Sequence, residues 1–278
     1  MDLKTLKNTA PWDWPNDADT TLLRILRDDR AAQSDRLLAA ELAGDFTVIN
    51  DDLAHALLAI IRRREESEEL RCTAAIALGP ALEHADTMGF EDDAEEVLSA
   101  ETFRGVLQSL RKLFLDADVP KDVRRKILEA SVRSPQDWHR EAVRAAYSSN
   151  DEAWRLTAVF CMRFIRGFDD QIIEALDSEN PDIHYQAVCA AGNWEVEAAW
   201  SHVAALVTSD HTDKQLRLAA IDAAAGIHPL EAQDILVDLT SSDDEDISDA
   251  AFEALAMAEG FLENKDKDED EEDDDEDG

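Results

Sequence analysis

A chain of 278 residues that is 45 % hydrophobic can bury a sizeable core, but only 6 % of it is aromatic, and Gly (9) and Pro (7) are scarce. That balance favours helices over many short strands joined by turns. The formal net charge is −37; residues 263–278 hold twelve acids and two lysines, a balance of −10, which leaves −27 on residues 1–262. Such a field repels phosphate backbones and anionic lipid, because nucleic-acid binding needs Lys and Arg to displace counterions. It favours a basic protein partner, and salt weakens that kind of association.

Residues 1–17 read as an N-terminal extended cap, with Trp12 and Trp14 held between Pro11 and Pro15. No basic region followed by an apolar one opens the chain, so a secretory signal is not expected. No apolar run approaches the ~18–20 residues a membrane span needs. Three cysteines, an odd count without CxxC spacing, suit a reducing compartment, and the expected location is cytoplasmic.

From residue 18 a repeat emerges. First helices are expected near 18–30, 52–64, 101–115, 137–147, 169–177, 195–208 and 229–240. Each is followed by a second helix that opens on an anchor residue: Asp35, Leu70, Val123, Trp154, Ile183, Leu216 or Ile247, the last five spaced by 31, 29, 33 and 31 residues. Four residues after the anchor stand Ala39, Ala74, Ile127, Ala158, Ala187, Ala220 and Ala251. Seven after it stand Leu42, Ala77, Ala130, Cys161, Ala190, Ala223 and Ala254. Offsets 0, 4 and 7 share one face of a 3.6-residue helix, and a small residue recurring there lets neighbouring helices approach closely.

Gly44, Gly79, Gly192, Gly226 and Gly260 are expected as caps just after second helices, and Asp118, Asp151, Asp182 and Asp213 as caps or dipole partners before them. About twenty surplus residues fall at 83–100, read as an acidic loop inserted in the repeat region 18–262. Residues 263–278 read as a disordered acidic tail.

The lines Leu70-Arg-Cys-Thr-Ala-Ala-Ile-Ala-Leu-Gly79 and Leu216-Arg-Leu-Ala-Ala-Ile-Asp-Ala-Ala-Ala-Gly226 resemble the HEAT family, in particular the short repeats also found in bilin lyases. The resemblance spans roughly residues 18–261, with departures at Asp35, His184 and Ser248. It implies an all-α fold, a right-handed α-α superhelix of about seven helical pairs with a long concave surface lined by second helices.

No HExxH, Gly-rich phosphate loop, GxSxG or strand–GxGxxG–helix unit is present. The seven histidines are dispersed, none three or four residues from another, so no helical zinc pair is encoded locally. His84 and Asp86 read as part of a solvated loop, and Cys161 and Cys189 as packed thiols. The recurring Arg36, Arg71, Arg124, Arg155 and Arg217 read as structural partners of turn carboxylates or carbonyls. The sequence therefore points to a non-enzymatic scaffold or adaptor without cofactor or metal, monomeric, gripping a protein partner on its concave face. Trp138, His139, Arg124, Arg125, Trp194 and Tyr185 are the candidate partner-binding residues. A bilin-lyase-like enzyme or chromophore chaperone is an alternative drawn from the repeat subtype. A HEAT-like DNA glycosylase is another, and the charge opposes it.

Overall fold

The computed structural model describes the backbone of residues 3–90 and 97–275, with side chains as far as Phe261. A short helix α1 (Leu3–Lys7) and a 3-10 turn (Pro11–Asp13) precede seven successive helical pairs. They are α2 (Ala18–Arg27) with α3 (Gln33–Leu42), α4 (Asp51–Arg62) with α5 (Glu68–Met88), and α6 (Ala100–Leu115) with α7 (Lys121–Ser131). Then come α8 (Asp137–Tyr147) with α9 (Glu152–Met162), α10 (Asp169–Leu176) with α11 (Pro181–Asn193), α12 (Trp200–Thr208) with α13 (Lys214–Ile227), and α14 (Pro229–Leu239) with α15 (Glu245–Asp275). All seven expected first helices are present within a few residues of their expected bounds; a 3-10 turn, Glu197–Ala199, opens the sixth.

The chain divides into two compact units, residues 1–144 and 145–278. In the first, α2, α4 and α6 pack on α3, α5 and α7, and the second helices stack as α3, α5, α7. In the second unit the stack runs α9, α11, α13, α15, backed by α10, α12 and α14. Anchor residues and the positions four and seven beyond them form the core. Leu70, Ala74 and Ala77 are buried in α5, as are Ile183, Ala187 and Ala190 in α11.

Gly44 follows α3 as expected, but the other four glycines act differently from the expectation. Gly79, Gly192 and Gly226 lie inside α5, α11 and α13, and Gly260 inside α15, instead of capping them. A Cβ on Gly44 would stand 2.6 Å from the Ala77 carbonyl oxygen, and one on Gly192 2.7 Å from the Ala223 Cα. These glycines are contact points between successive second helices. The cap expected at Gly79 falls instead at Gly89, which adopts φ 71° and closes α5 onto the Ala85 carbonyl.

Residues 83–88 of the expected acidic loop are therefore helix, and residues 91–96 lie outside the described residues. Gly79-Pro80 reads as a stop, and proline inside a helix costs about 3 kcal/mol. Beyond it, however, Ala81, Leu82 and Ala85 are buried, which offsets that cost at about 2 kcal/mol for Leu82 alone. Arg133 pairs with Glu83, and Ser134 Oγ donates to Asp86 at 2.8 Å, fixing the added turns against the end of α7.

At the N-terminus, Leu3 and Leu6 make α1 a buried helical turn against α3 where an extended segment was expected. Trp14 Nε1 closes it by donating to the Leu6 and Thr9 carbonyls at 3.0 Å, while Trp12 is exposed. The backbone of α15 runs on to Asp275, through most of the stretch expected to be a disordered tail. Propagation from an established helix is far easier than nucleation. Asp151 and Asp213 cap α9 and α13 as expected. Asn180 caps α11, leaving Asp182 in its first turn, and Asp118 pairs with Arg64 instead of capping α7.

Two glycine substitutions separate close approach from helix propensity. Gly192→Ala should lower the unfolding free energy by about 1–3 kcal/mol through overpacking. Gly105→Ala, in α6 with open space around it, should raise it by about 1 kcal/mol. Denaturant melts of both variants decide; a neutral Gly192→Ala would remove the close-contact role.

Candidate interaction surface

The recurring arginines form a stripe whose partners lie within the fold. Nε of Arg71, Arg124 and Arg217 donates to the carbonyls of Ile61, Phe114 and Val207, each at 2.9 Å. Arg36 reaches the Leu26 carbonyl at 3.3 Å through its NH2 group. In every case the acceptor lies ten residues back, at the C-terminal end of the first helix, where carbonyls lack intrahelical partners. Arg36 also forms a two-pronged pair with Glu66, 2.7 Å on each prong, tying the first pair to the second. Each of these four arginines closes its own helix pair. In fold, this is a HEAT-like repeat protein.

The Arg column is broken at His184. Its Nε2 lies 2.8 Å from Nε2 of His202 on α12. One ring nitrogen must donate and the other accept, so the contact holds a single proton. Burial, and then the charge of His202, push His184 below the ordinary imidazole range. No local spacing joins residues 184 and 202. Among the described residues no group of three or more His, Cys, Asp or Glu is placed to hold a metal.

Most of the residues expected to bind a partner are engaged within the fold. His139 is fully buried: Nδ1 accepts from the Gln136 N–H at 2.9 Å and Nε2 faces Ser131 Oγ at 3.0 Å. With Nδ1 accepting, the proton sits on Nε2 and points at the serine. No partner can reach this ring, which corrects the expectation. Trp138 packs on Phe114, ring centroids 5.2 Å apart, and its Nε1 donates to Gln136 Oε1. The basic cluster is neutralised in place. Arg125 pairs with Asp122 at 3.1 Å, Lys126 with the buried Glu129 at 2.6 Å, and Arg124 lies over the Phe114 ring. Trp194 donates to the Met162 carbonyl at 2.6 Å, and Asn193 donates to that of Arg163, so the end of α11 caps the end of α9. The Arg166 guanidinium covers the indole at 4.8 Å.

Tyr185 is different. It stands two residues after its anchor, on the side of α11 turned away from the first helices. Offsets two and six of the second unit form an open face of half-exposed Leu156, Phe160, Tyr185, Cys189 and Leu218, continued by exposed Asp222, Asp249 and Glu253. Phe160 and Phe164 pack 5.5 Å apart; the Arg163 guanidinium lies 5.8 and 6.0 Å from their centroids and donates to Gln186 Oε1. The face thus grades from aromatic on α9 and α11 to acidic on α13 and α15. The repeat columns held this signal two and six residues past each anchor, next to the core columns.

Both half-exposed cysteines are protonated thiols at neutral pH. Burial raises Cys72 to about 11 and also raises Cys189. No described helix is long and apolar enough to cross a membrane.

No family model matches the chain, and no curated protein matches it in sequence. Among solved structures it is similar to YibA of E. coli, at 14% identity and a TM-score of 0.46, over 88% of this chain and 84% of that one. It is also similar to the complex of CpcE and CpcF of phycocyanin lyase from Nostoc, at 15% identity and 0.45, over 88% and 96%. A designed armadillo repeat protein aligns at 16% identity and 0.34, over 86% and 98%. Likenesses this distant say nothing of activity, and the fold class stands on the helix pairing itself.

Burial holds His139 at about 4, against 6.5 for an ordinary histidine. A depressed folded value means the neutral ring contributes stability above pH 6.5 that is lost as pH falls towards 4. From pH 7 to pH 5 the wild type should lose about 2 kcal/mol relative to His139→Asn. Paired denaturation curves at the two pH values measure it, and a gap that does not change with pH contradicts the assignment.

Proposed function

We propose that the protein is a non-enzymatic interaction scaffold that holds a protein partner, basic in charge, on the open face of its second helices. The observation that carries this reading is the graded face of the second unit, where Phe160, Phe164 and Tyr185 give way to Asp222, Asp249 and Glu253. Half-exposed aromatics beside a guanidinium are the residue types that dominate interface hot spots. The acidic end and the net charge of −37 supply long-range attraction for a basic chain. A row of helices offers such a partner a broad surface of the kind repeat proteins use.

The test belongs on these residues instead of Trp138 and Arg125, whose side chains are packed or paired. Tagged wild-type protein and a Phe160→Ala/Tyr185→Ala variant would be used to capture partners from native lysate at low and high salt. The expected result is a salt-sensitive partner whose recovery falls at least tenfold with the variant, equivalent to about 1.4 kcal/mol. If a correctly folded variant keeps every partner, the open face is not the binding surface.

A further inference from the structure

The first unit holds a cleft between the 3-10 turn with the start of α2 and the connection from α3 to α4. It encloses about 470 Å³, and its lining includes Trp12, Trp14, Asp19, Thr47, Ile49 and Asn50. That volume lies within the about 300–1,000 Å³ of ligand pockets. Both walls are fixed. On one, Trp14 is pinned through its indole to the Leu6 and Thr9 carbonyls, and its backbone N–H donates to the Pro11 carbonyl at 3.1 Å. On the other, the Asp45 carboxylate accepts from the Thr47 N–H and hydroxyl at 2.9 and 2.7 Å, and Val48 and Ile49 are buried. Asn50 ties the walls together: Nδ2 donates to Asp19 Oδ2 at 3.1 Å, while Oδ1 accepts from the Leu53 N–H at 3.0 Å.

Trp12 stands in contrast to this frame. It is 80 % exposed and makes no hydrogen bond or ring contact among the described residues. An indole face left in water at the edge of a cleft can hold a cation. Asp19 sets the sign, because it is the one ionisable side chain in the lining. Its Oδ1 accepts from the Thr20 N–H and hydroxyl at 2.6 and 3.3 Å, and Oδ2 accepts from Asn50. All are neutral donors, and no Lys, Arg or His pairs with Asp19 among the described residues. A carboxylate offers about four acceptor sites, so Oδ2 keeps one for a further donor. The first turn of α2 supplies about half a positive charge, less than the carboxylate carries. Neither wall adds a cation: residues 8–23 and 41–57 hold seven acids and no Lys or Arg. Of the two basic side chains, guanidinium fits better. It is flat, stacks on an aromatic face, is more weakly hydrated than an ammonium, and presents paired N–H groups to a carboxylate.

We propose that the cleft between Trp12 and Asp19 takes an arginine side chain of a basic partner protein, its guanidinium lying on the Trp12 indole and donating to Asp19 Oδ2. This shares only the basic partner with the scaffold reading, and the site is distinct from the open face.

The experiment titrates the full chain, labelled with nitrogen-15, with N-acetyl-argininamide and with N-acetyl-citrullinamide, which puts a neutral urea in place of the guanidinium. The Trp12 indole and Asn50 side-chain amide cross-peaks should move with argininamide, at a Kd at least fivefold lower than with citrullinamide. That preference should shrink as salt rises. Trp12→Leu and Asp19→Asn should each abolish most of it, read at the Asn50 amide. Trp12 is exposed and asparagine keeps an acceptor for the Thr20 N–H, so unchanged thermal melts verify folding. Phe160→Ala/Tyr185→Ala should leave the titration as it is in the wild type. Because the probe needs no partner, the cleft and the open face stand or fail separately. Equal affinity for the two probes, shifts confined to residues outside the cleft, or full preference in a folded Trp12→Leu or Asp19→Asn variant overturns the proposal. So does loss of the response in Phe160→Ala/Tyr185→Ala, which would place the arginine on the open face.

Discussion

The distance at which one second helix can approach the next governs the rest of this structure. At Gly44 against Ala77, and at Gly192 against Ala223, the two backbones come so close that a single added methyl group would overlap the neighbouring main chain. Contacts this tight need small side chains on both helices, which explains alanine at eleven of the fourteen positions four and seven beyond the seven anchors. The larger apolar residues are then displaced towards the first helices, where Leu, Ile and Phe fill the wider gap. In four pairs Arg36, Arg71, Arg124 and Arg217 give a carbonyl at the end of the first helix a donor that the helix itself lacks.

Once the small face is committed to stacking, the opposite side of each second helix is left without a neighbour. Its composition is then free to serve another purpose. In the first unit that side is largely occupied by internal ion pairs around Glu129, with Cys72 and the exposed Ile76 between them. In the second unit it carries an aromatic cluster and a run of carboxylates.

Much of this was legible in the sequence. The anchors, the offset columns and the lengths of the first helices follow from periodicity, and the arginines were rightly read as structural. What misled were single-residue signals weighed without their surroundings. Gly79-Pro80 has the local form of a helix end, but the burial of Leu82 carries the helix through it. Trp138, His139 and Trp194 are residue types that interfaces favour, and each is engaged by a hydrogen bond or a ring that only folding supplies. The pairing of His184 with His202 joins two helices of successive repeats and leaves no trace in local spacing. Phe160 and Phe164 carry no such signal, because the small-residue columns of α9 mark only its buried side.

The central claim is that direct contact between the small faces of adjacent second helices sets the packing. A double-mutant cycle on Gly192→Ala and Ala223→Gly tests it most directly, because the Ala223 Cβ, which the second substitution removes, is one of the two atoms 2.7 Å from an added Cβ at position 192. The account predicts that the two effects on unfolding free energy fail to add, with the double variant more stable than their sum by about 1 kcal/mol. Strict additivity would contradict it.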